Sequence, residues 1–430
     1  MHYKLLVKGL KQIVQITDQP DVEFLKGEQM KNIKVLNSAN NDLCVLTAHN
    51  GTIFYVGDEH GLEAFGKKLE IDQIISTDGG VLIPGFIDGH SHPVFAGDRV
   101  HEFAMKLAGA TYMEVQAAGG GIIFTTSHTK EASEDQLLED FVNLSEQMLR
   151  CGTTTLEAKS GYGLETETEL KMLRVLDRAS GKTPLEICAT FCGAHAVPKG
   201  ANEEDQTKLI VQEMIPKIRE EKNKGKLQNL ENIDVFCEKG VFGVESTREI
   251  LKSGQSIGLY PNFHAEELNY IGGVEMGAEI RARAMSHLEE ISDAGIEKMA
   301  EAGSVAVLLP STAFILRLKP PPARKMIEKG VIVALGSDFN PNAFCLAMPM
   351  IMHFACVTMH LSMPEALVAA TINSAHSLGR GRTHGAIAVH RQADFVLLEA
   401  NSWEHIIYRI AGHEAIISKV FKKGELVYSK

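Results

Sequence analysis

Two histidines one residue apart, His90 and His92, end the run Val81-Leu-Ile-Pro-Gly-Phe-Ile-Asp-Gly-His-Ser-His-Pro93. The run opens with branched apolar residues, the composition of a strand buried on both faces. In an extended chain, residues i and i+2 point to the same side, so both imidazoles face one point at the strand's end. Two neutral nitrogens meeting there suit a borderline divalent ion such as Zn²⁺ or Fe²⁺. A chain with 17 histidines also yields such a pair by chance, so the reading depends on partners elsewhere.

Partners follow other apolar runs. His195 ends Phe191-Cys-Gly-Ala-His, His264 lies in Asn262-Phe-His-Ala-Glu-Glu267, His287 opens the end of Ser286-His-Leu-Glu289, and Asp338 lies in Gly336-Ser-Asp-Phe-Asn340. One histidine at a strand end is ordinarily a hydrogen-bonded structural residue. Five histidines and an aspartate placed alike make a site.

The elements that must position them alternate. After the first strand, candidate strands cover Thr153–Glu157, Leu185–Phe191, Ile233–Cys237, Leu259–Phe263, Ala284–Ser286, Val305–Leu309 and Val331–Leu335. Amphipathic helices separate most of them, at Glu134–Arg150, Thr166–Ala179, Glu203–Lys222, Ser246–Ser253, Ala294–Ala302 and Ala323–Lys329. Eight strand–helix units imply an α/β fold of the closed (β/α)₈ TIM-barrel type, with chemistry at the C-terminal strand ends. The insertion from Pro93 to Lys130, holding Gly119-Gly120-Gly121, is longer than a turn requires and reads as a cover or binding surface. Short strands and turns fill residues 1–83, with a hairpin signal at Asn50-Gly51, and again residues 382–430, with a turn at Lys423-Gly424. The expectation is a barrel over 84–381 beside a smaller composite β-sandwich built from both chain ends.

Composition narrows the class. At 430 residues, 44% hydrophobic and 23% charged, the chain has room for one large and one smaller globular unit. A net charge of −12 without a basic stripe argues against nucleic acid or an anionic membrane as partner. Seven cysteines without a C-x-x-C pair suit a reducing compartment. The first residues carry neither a signal-peptide nor a transit-peptide pattern, and no apolar run reaches membrane-spanning length, so a cytosolic protein is expected.

With these segments in hand, the chain resembles the metal-dependent amidohydrolase superfamily: H-x-H on the first strand, His on the fifth and sixth, Asp on the eighth. Within it the resemblance is to the branch that opens a five-membered imidazolone ring in histidine degradation. It rests on Gly85-Phe-Ile-Asp-Gly-His-Ser-His-Pro with Phe95-Ala-Gly-Asp-Arg99, Tyr112 with Gly119-Gly-Gly-Ile, Lys159-Ser-Gly-Tyr-Gly-Leu-Glu, Gly193-Ala-His-Ala-Val-Pro, Phe263-His-Ala-Glu-Glu, Ser286-His-Leu-Glu and Ser337-Asp-Phe-Asn-Pro. The first-strand motif is shared by many amidohydrolases; Lys-Ser-Gly-Tyr-Gly-Leu and Asp-Phe-Asn-Pro are far more particular.

The resemblance implies that His90, His92, His264 and Asp338 hold one Zn²⁺ or iron ion with a position left for water. Lys239 lies past the fourth strand and the third has no lysine to bridge a second metal, so a mononuclear site is expected. Glu267 is then placed to move protons between water and the leaving nitrogen, its alternative being support of a ligand. His287 polarises the ring carbonyl or stabilises the oxyanion, and Asp338 shares the proton transfers. Arg99 suits a carboxylate on the substrate; its alternative is a structural salt bridge with Glu102 or Asp98. Tyr162 and His195 contact substrate by the same resemblance, and Asn340 the product, although Tyr162 also fits a loop residue packed for shape. Many members place glycine and a small hydroxyl residue after Asp-Phe-Asn-Pro. Here these are Asn342 and Ala343, so Asn342 is carried over as a contact and the hydroxyl is lost. Relatives suggest a homodimer. The rivals are a deaminase or another cyclic-amide hydrolase of the superfamily, for which Arg99 has no evident use with a neutral base, and a metal-free scaffold, which predicts replaced ligands.

Overall fold

The computed structural model describes residues 2–65, 69–110, 114–115, 118 and 120–430. Tyr112 and Gly119 of the sequence motifs lie outside the described residues. Eight parallel strands follow one another in chain order: β1 Phe86–Asp88, β2 Thr153–Lys159, β3 Glu186–Ala194, β4 Leu230–Cys237, β5 Tyr260–Ala265, β6 Ala284–His287, β7 Val305–Leu308 and β8 Ile332–Leu335. All residues of β2, β6, β7 and β8 are buried, as parallel strands covered on both faces must be.

The barrel closes through the ends of β1 and β8. Gly89 N donates to Leu335 O at 3.2 Å, Asp338 N to His90 O at 2.8 Å and His92 N to Phe339 O at 2.7 Å. Buried Asp88 clasps the same seam, its Oδ1 accepting the backbone N–H of His90 at 3.2 Å and of Ser337 at 2.8 Å. A side chain at Gly336 would put its Cβ 2.7 Å from that of His90, so this approach needs glycine.

Helices Glu134–Arg150 and Thr166–Ala179 match the expected spans, the first capped by Ser133, whose side chain accepts from Gln136 N. The helix expected over Glu203–Lys222 is interrupted: Ile210–Met214 forms a π turn between Glu203–Leu209 and Ile215–Asn223. Pro216 lacks the N–H that would complete the ladder there, and the wider turn accommodates it.

The apolar run at the first motif divides differently from its sequence reading. Val81–Pro84 ends a separate 15-residue strand, Glu70–Pro84, and only Phe86–Asp88 belongs to the barrel. Glu70–Pro84 pairs parallel with His2–Ile16 and antiparallel with Phe395–Leu398, as in Leu82↔Leu397. Both chain ends therefore build one eight-stranded sheet outside the barrel. Side chains from its two halves, among them Leu5, Val7, Val45 and Ile53 with Phe395, Leu397 and Phe421, bury one another in a shared cluster. Lys423 and Gly424, both at positive φ, form the two-residue turn that joins Ile417–Lys422 to Glu425–Ser429.

Candidate active site

Beyond the C-terminal strand ends lies a cavity of about 360 Å³. His92, Arg99, Tyr162, His195, His264, Glu267, His287, Asp338, Asn340 and Asn342 line it, which brings together the residues named from the sequence; His90 is fully buried beneath them. The 93–130 insertion forms one wall through helix Val100–Leu107 and the start of helix Ile122–Glu131.

At the floor, ligand atoms of His90, His92 and His264 lie within 4.8 Å of one another, as do those of His90, His287 and Asp338. Nε2 of His92 and of His264 are 3.3 Å apart, and Asp338 Oδ1 is 3.5 Å from His90 Nε2 and 3.7 Å from His92 Nε2. Two of the outer nitrogens are already engaged, His90 Nδ1 with Ser286 Oγ at 2.9 Å and His264 Nδ1 with Asp234 Oδ1 at 3.0 Å. These bonds fix each ring so that its other nitrogen faces the centre. His90 Nε2 is buried there with no hydrogen-bond partner. Burial, then the charge of Lys159, pushes His90 well below the usual histidine range; burial, then His195, does the same to His92. Neutral imidazoles with inward lone pairs beside a carboxylate are the donor set of a catalytic metal centre, and these residues fit one.

Three residues behind the centre were given no role from sequence: Lys159, Asp234 and Thr312. Lys159, at the end of β2, is fully buried with its Nζ 2.7 Å from Glu157 Oε1 and 2.7 Å from Asp234 Oδ2. Burial opposes its charge, but Asp234 and Glu157 outweigh it and keep the ammonium protonated. A chain Lys159–Asp234–His264 therefore sets the orientation of the His264 ring. The signal available was an aspartate and a lysine inside apolar strand runs, which are rarely buried unless paired. Thr312, which donates to Asp338 Oδ2, carried no comparable signal.

Glu267 is buried, its Oε2 3.6 Å from His287 Nε2. Burial, then the charge of Asp338, pushes it well above the usual carboxylate range, as suits a group that carries protons near neutral pH. His195 donates through Nδ1 to Gly161 O at 3.0 Å and stacks on His92 with centroids 4.6 Å apart. Burial and His264 lower it to about 3, so its Nε2 is an acceptor. The strand ends are strained: Glu266, His287, Leu288 and Asp338 adopt φ of +57°, +76°, +72° and +47°. Each such residue costs about 1–3 kcal/mol, which the packed barrel sustains.

Both alternatives for Arg99 meet in the structure. It lines the cavity, yet Nε and Nη2 donate to Glu102 Oε1 and Oε2 at 2.9 and 2.7 Å in a buried bidentate pair. Asp98 instead accepts from Val100 N at 2.8 Å. Asn340 edges the cavity with its amide engaged in its own loop, accepting from Asn342 N at 2.7 Å and donating to Asp338 O at 2.7 Å.

A parallel barrel with three imidazoles and an aspartate at its C-terminal mouth is the layout of a metal-dependent hydrolase. Residues 81–427 match the model of the amidohydrolase family, and the chain belongs to that family. Within it, the chain is 52% identical over 427 residues to a probable imidazolonepropionase of Nematostella vectensis, covering 99% of each chain. It is 52% identical over 426 residues to a probable imidazolonepropionase of Danio rerio, covering 99% of this chain and 97% of that one. A zinc-bound adenosine deaminase of Xanthomonas campestris has the same fold, with a TM-score of 0.68 at 17% identity over 99% of this chain and 93% of that one. Among the described residues no helix is long and apolar enough to cross a membrane.

Proposed function

We propose that the protein hydrolyses 4-imidazolone-5-propanoate to N-formimidoyl-L-glutamate, using one Zn²⁺ or iron ion per chain held by His90, His92, His264 and Asp338. The observation that carries this reading is the polarity of a single cavity: ligands and Glu267 at the floor, cations Arg99 and Lys106 on the wall. Kinship with full-length relatives bearing that enzyme's name supports it.

When bound, the ion supplies Lewis acidity toward water and the ring carbonyl. Glu267 receives the water's proton and returns it to the ring nitrogen as the C–N bond breaks. His287 presents Nε2 beside Glu267, where it hydrogen-bonds the carbonyl oxygen as negative charge develops. Asp338 assists the transfers from the opposite side. Tyr162 and His195 flank the ring, Arg99 faces the propionate, and Asn340 with Asn342 rims the product. Lys159 is already paired twice, which favours a mononuclear site over one bridged by a lysine. The seven thiols are free and five of them buried, in keeping with a cytosolic enzyme, and a homodimer is the assembly we infer.

The test is loss of the imidazolone absorbance by metal-loaded protein, with N-formimidoylglutamate identified by mass spectrometry. Turnover that a chelator abolishes and added metal restores is expected. An intact ring after prolonged incubation, or release of ammonia from a purine instead, would overturn the reading.

A further inference from the structure

We propose that Lys106, held by Asn342, supplies the uncompensated positive charge that selects a carboxylate substrate; this rests on the reading above, in which the substrate carries a propionate arm. The wall of the cavity bears two cations, Arg99 and Lys106, and one neighbouring carboxylate, Glu102. Glu102 is saturated. Its Oε1 accepts from Arg99 Nε and from Gly121 N, each at 2.9 Å, and its Oε2 accepts from Arg99 Nη2 at 2.7 Å. Arg99 is thus neutralised in place, and its bidentate pairing occupies one edge of the guanidinium.

Lys106 has no such hydrogen-bonded counter-ion, since Glu102 acts on it only through space. Among the described residues it forms no ion pair, and its hydrogen-bond partner is the neutral amide oxygen of Asn342. It stands one turn after Glu102 on helix Val100–Leu107, so both face the cavity side of that helix. Its ammonium is half-buried, and burial, then the like charge of Arg99, lowers its proton affinity despite the opposing charge of Glu102. A desolvated cation whose partner is an amide favours an anion far more than a neutral group. Glu267 and Asp338 line the same cavity as Lys106, so a substrate whose reactive ring meets the two carboxyls has a cation within that cavity for its carboxylate. The Asn342 side chain tethers Lys106, so the amide and the cation form one device.

The experiment measures kinetics on the imidazolone for the metal-loaded wild type, Lys106→Met, Lys106→Arg and Asn342→Gly. It also measures binding of two non-reacting probes, 3-(imidazol-4-yl)propanoate and its carboxamide. We expect Lys106→Met to raise KM about 10- to 100-fold, the worth of one charge-assisted hydrogen bond, with kcat within about threefold of wild type. The wild type's preference for the carboxylate probe over the amide should vanish in Lys106→Met and survive in Lys106→Arg, with Asn342→Gly in between. An unchanged KM and an unchanged probe preference in Lys106→Met would overturn the proposal. If the wild type does not open the ring at all, the functional reading fails instead, and the probe preference still decides the role of Lys106.

Discussion

The two ends of the barrel bury polar groups in opposite ways. At the base, where the strands begin, the charges around Glu186 meet opposite ones. Glu186 at the start of β3 accepts from Arg380 Nε at 2.8 Å and lies 3.0 Å from His384 Nε2 and 2.9 Å from Lys422 Nζ. Arg380 also holds Glu231, and Lys422 also holds Asp394 at 2.8 Å. At the mouth, like groups crowd together and partners are missing. His90 Nε2, His92 Nδ1, His287 Nδ1 and both carboxyl oxygens of Glu289 are buried without a hydrogen bond. A folded chain tolerates such groups where binding satisfies them later; the base is built for stability, the mouth for a ligand.

Lys159 breaks this division, because it is paired like a residue of the base yet sits behind His264 at the mouth. Lys159→Met should therefore show the largest effect. It leaves Asp234 and Glu157 buried without their cation, a loss of about 3–5 kcal/mol in denaturant unfolding, and metal affinity should fall with it as His264 loses its support. Wild-type metal affinity in a folded Lys159→Met protein would show that the chain through Asp234 is not what orients His264. Next comes Glu267→Gln, which should cut kcat by about 10²–10⁴-fold while Tm stays level or rises, since it removes a buried carboxyl that the charge of Asp338 disfavours. A fall in Tm there would blur the contrast between the two ends.

The smallest effect belongs to the base and depends on pH. Burial opposes ionisation of Glu186, but the hydrogen bond from His384, the charges of Lys422 and His384 and the hydrogen bond from Arg380 outweigh it, holding its carboxyl far below the usual range. A depressed folded pKa stabilises above the unfolded value, near about 4.3, and this stability is lost as pH falls through the folded value. Glu186→Gln should thus cost about 2 kcal/mol at pH 7, with the difference shrinking below about pH 4.3 and kcat unaffected. Equal destabilisation at pH 7 and pH 2.5 would mean that packing, not charge, holds this corner.

Much of this was legible in sequence where one residue's type and local period suffice. His90, His92, His264, His287 and Asp338 each followed an apolar strand run, and the barrel brings such positions to one mouth whatever the sequence between them. What escaped depended on pairing across the chain. The split of Val81–Pro84 from Phe86–Asp88 is set by partners at 395–398, which no local pattern reveals. The roles of Lys159 and Asp234 exist only once β2 and β4 stand beside the same ligand. Arg99 could be named, but whether it met Glu102 or the cavity was a question of geometry, and the structure answers with both.

The sheet made from both chain ends bears on how the polypeptide acquires its shape. Leu82 finds Leu397, 315 positions further along the chain, and Lys422 reaches Asp394 and Glu186 at the barrel's base. Contacts so distant along the chain form late and slowly. A nascent chain that has made its first seven barrel strands still lacks the segment that seals Glu70–Pro84, leaving that strand's edge open to wrong neighbours. Assembly should consequently end with the outer sheet, and a chaperone's protection would matter most just before it closes.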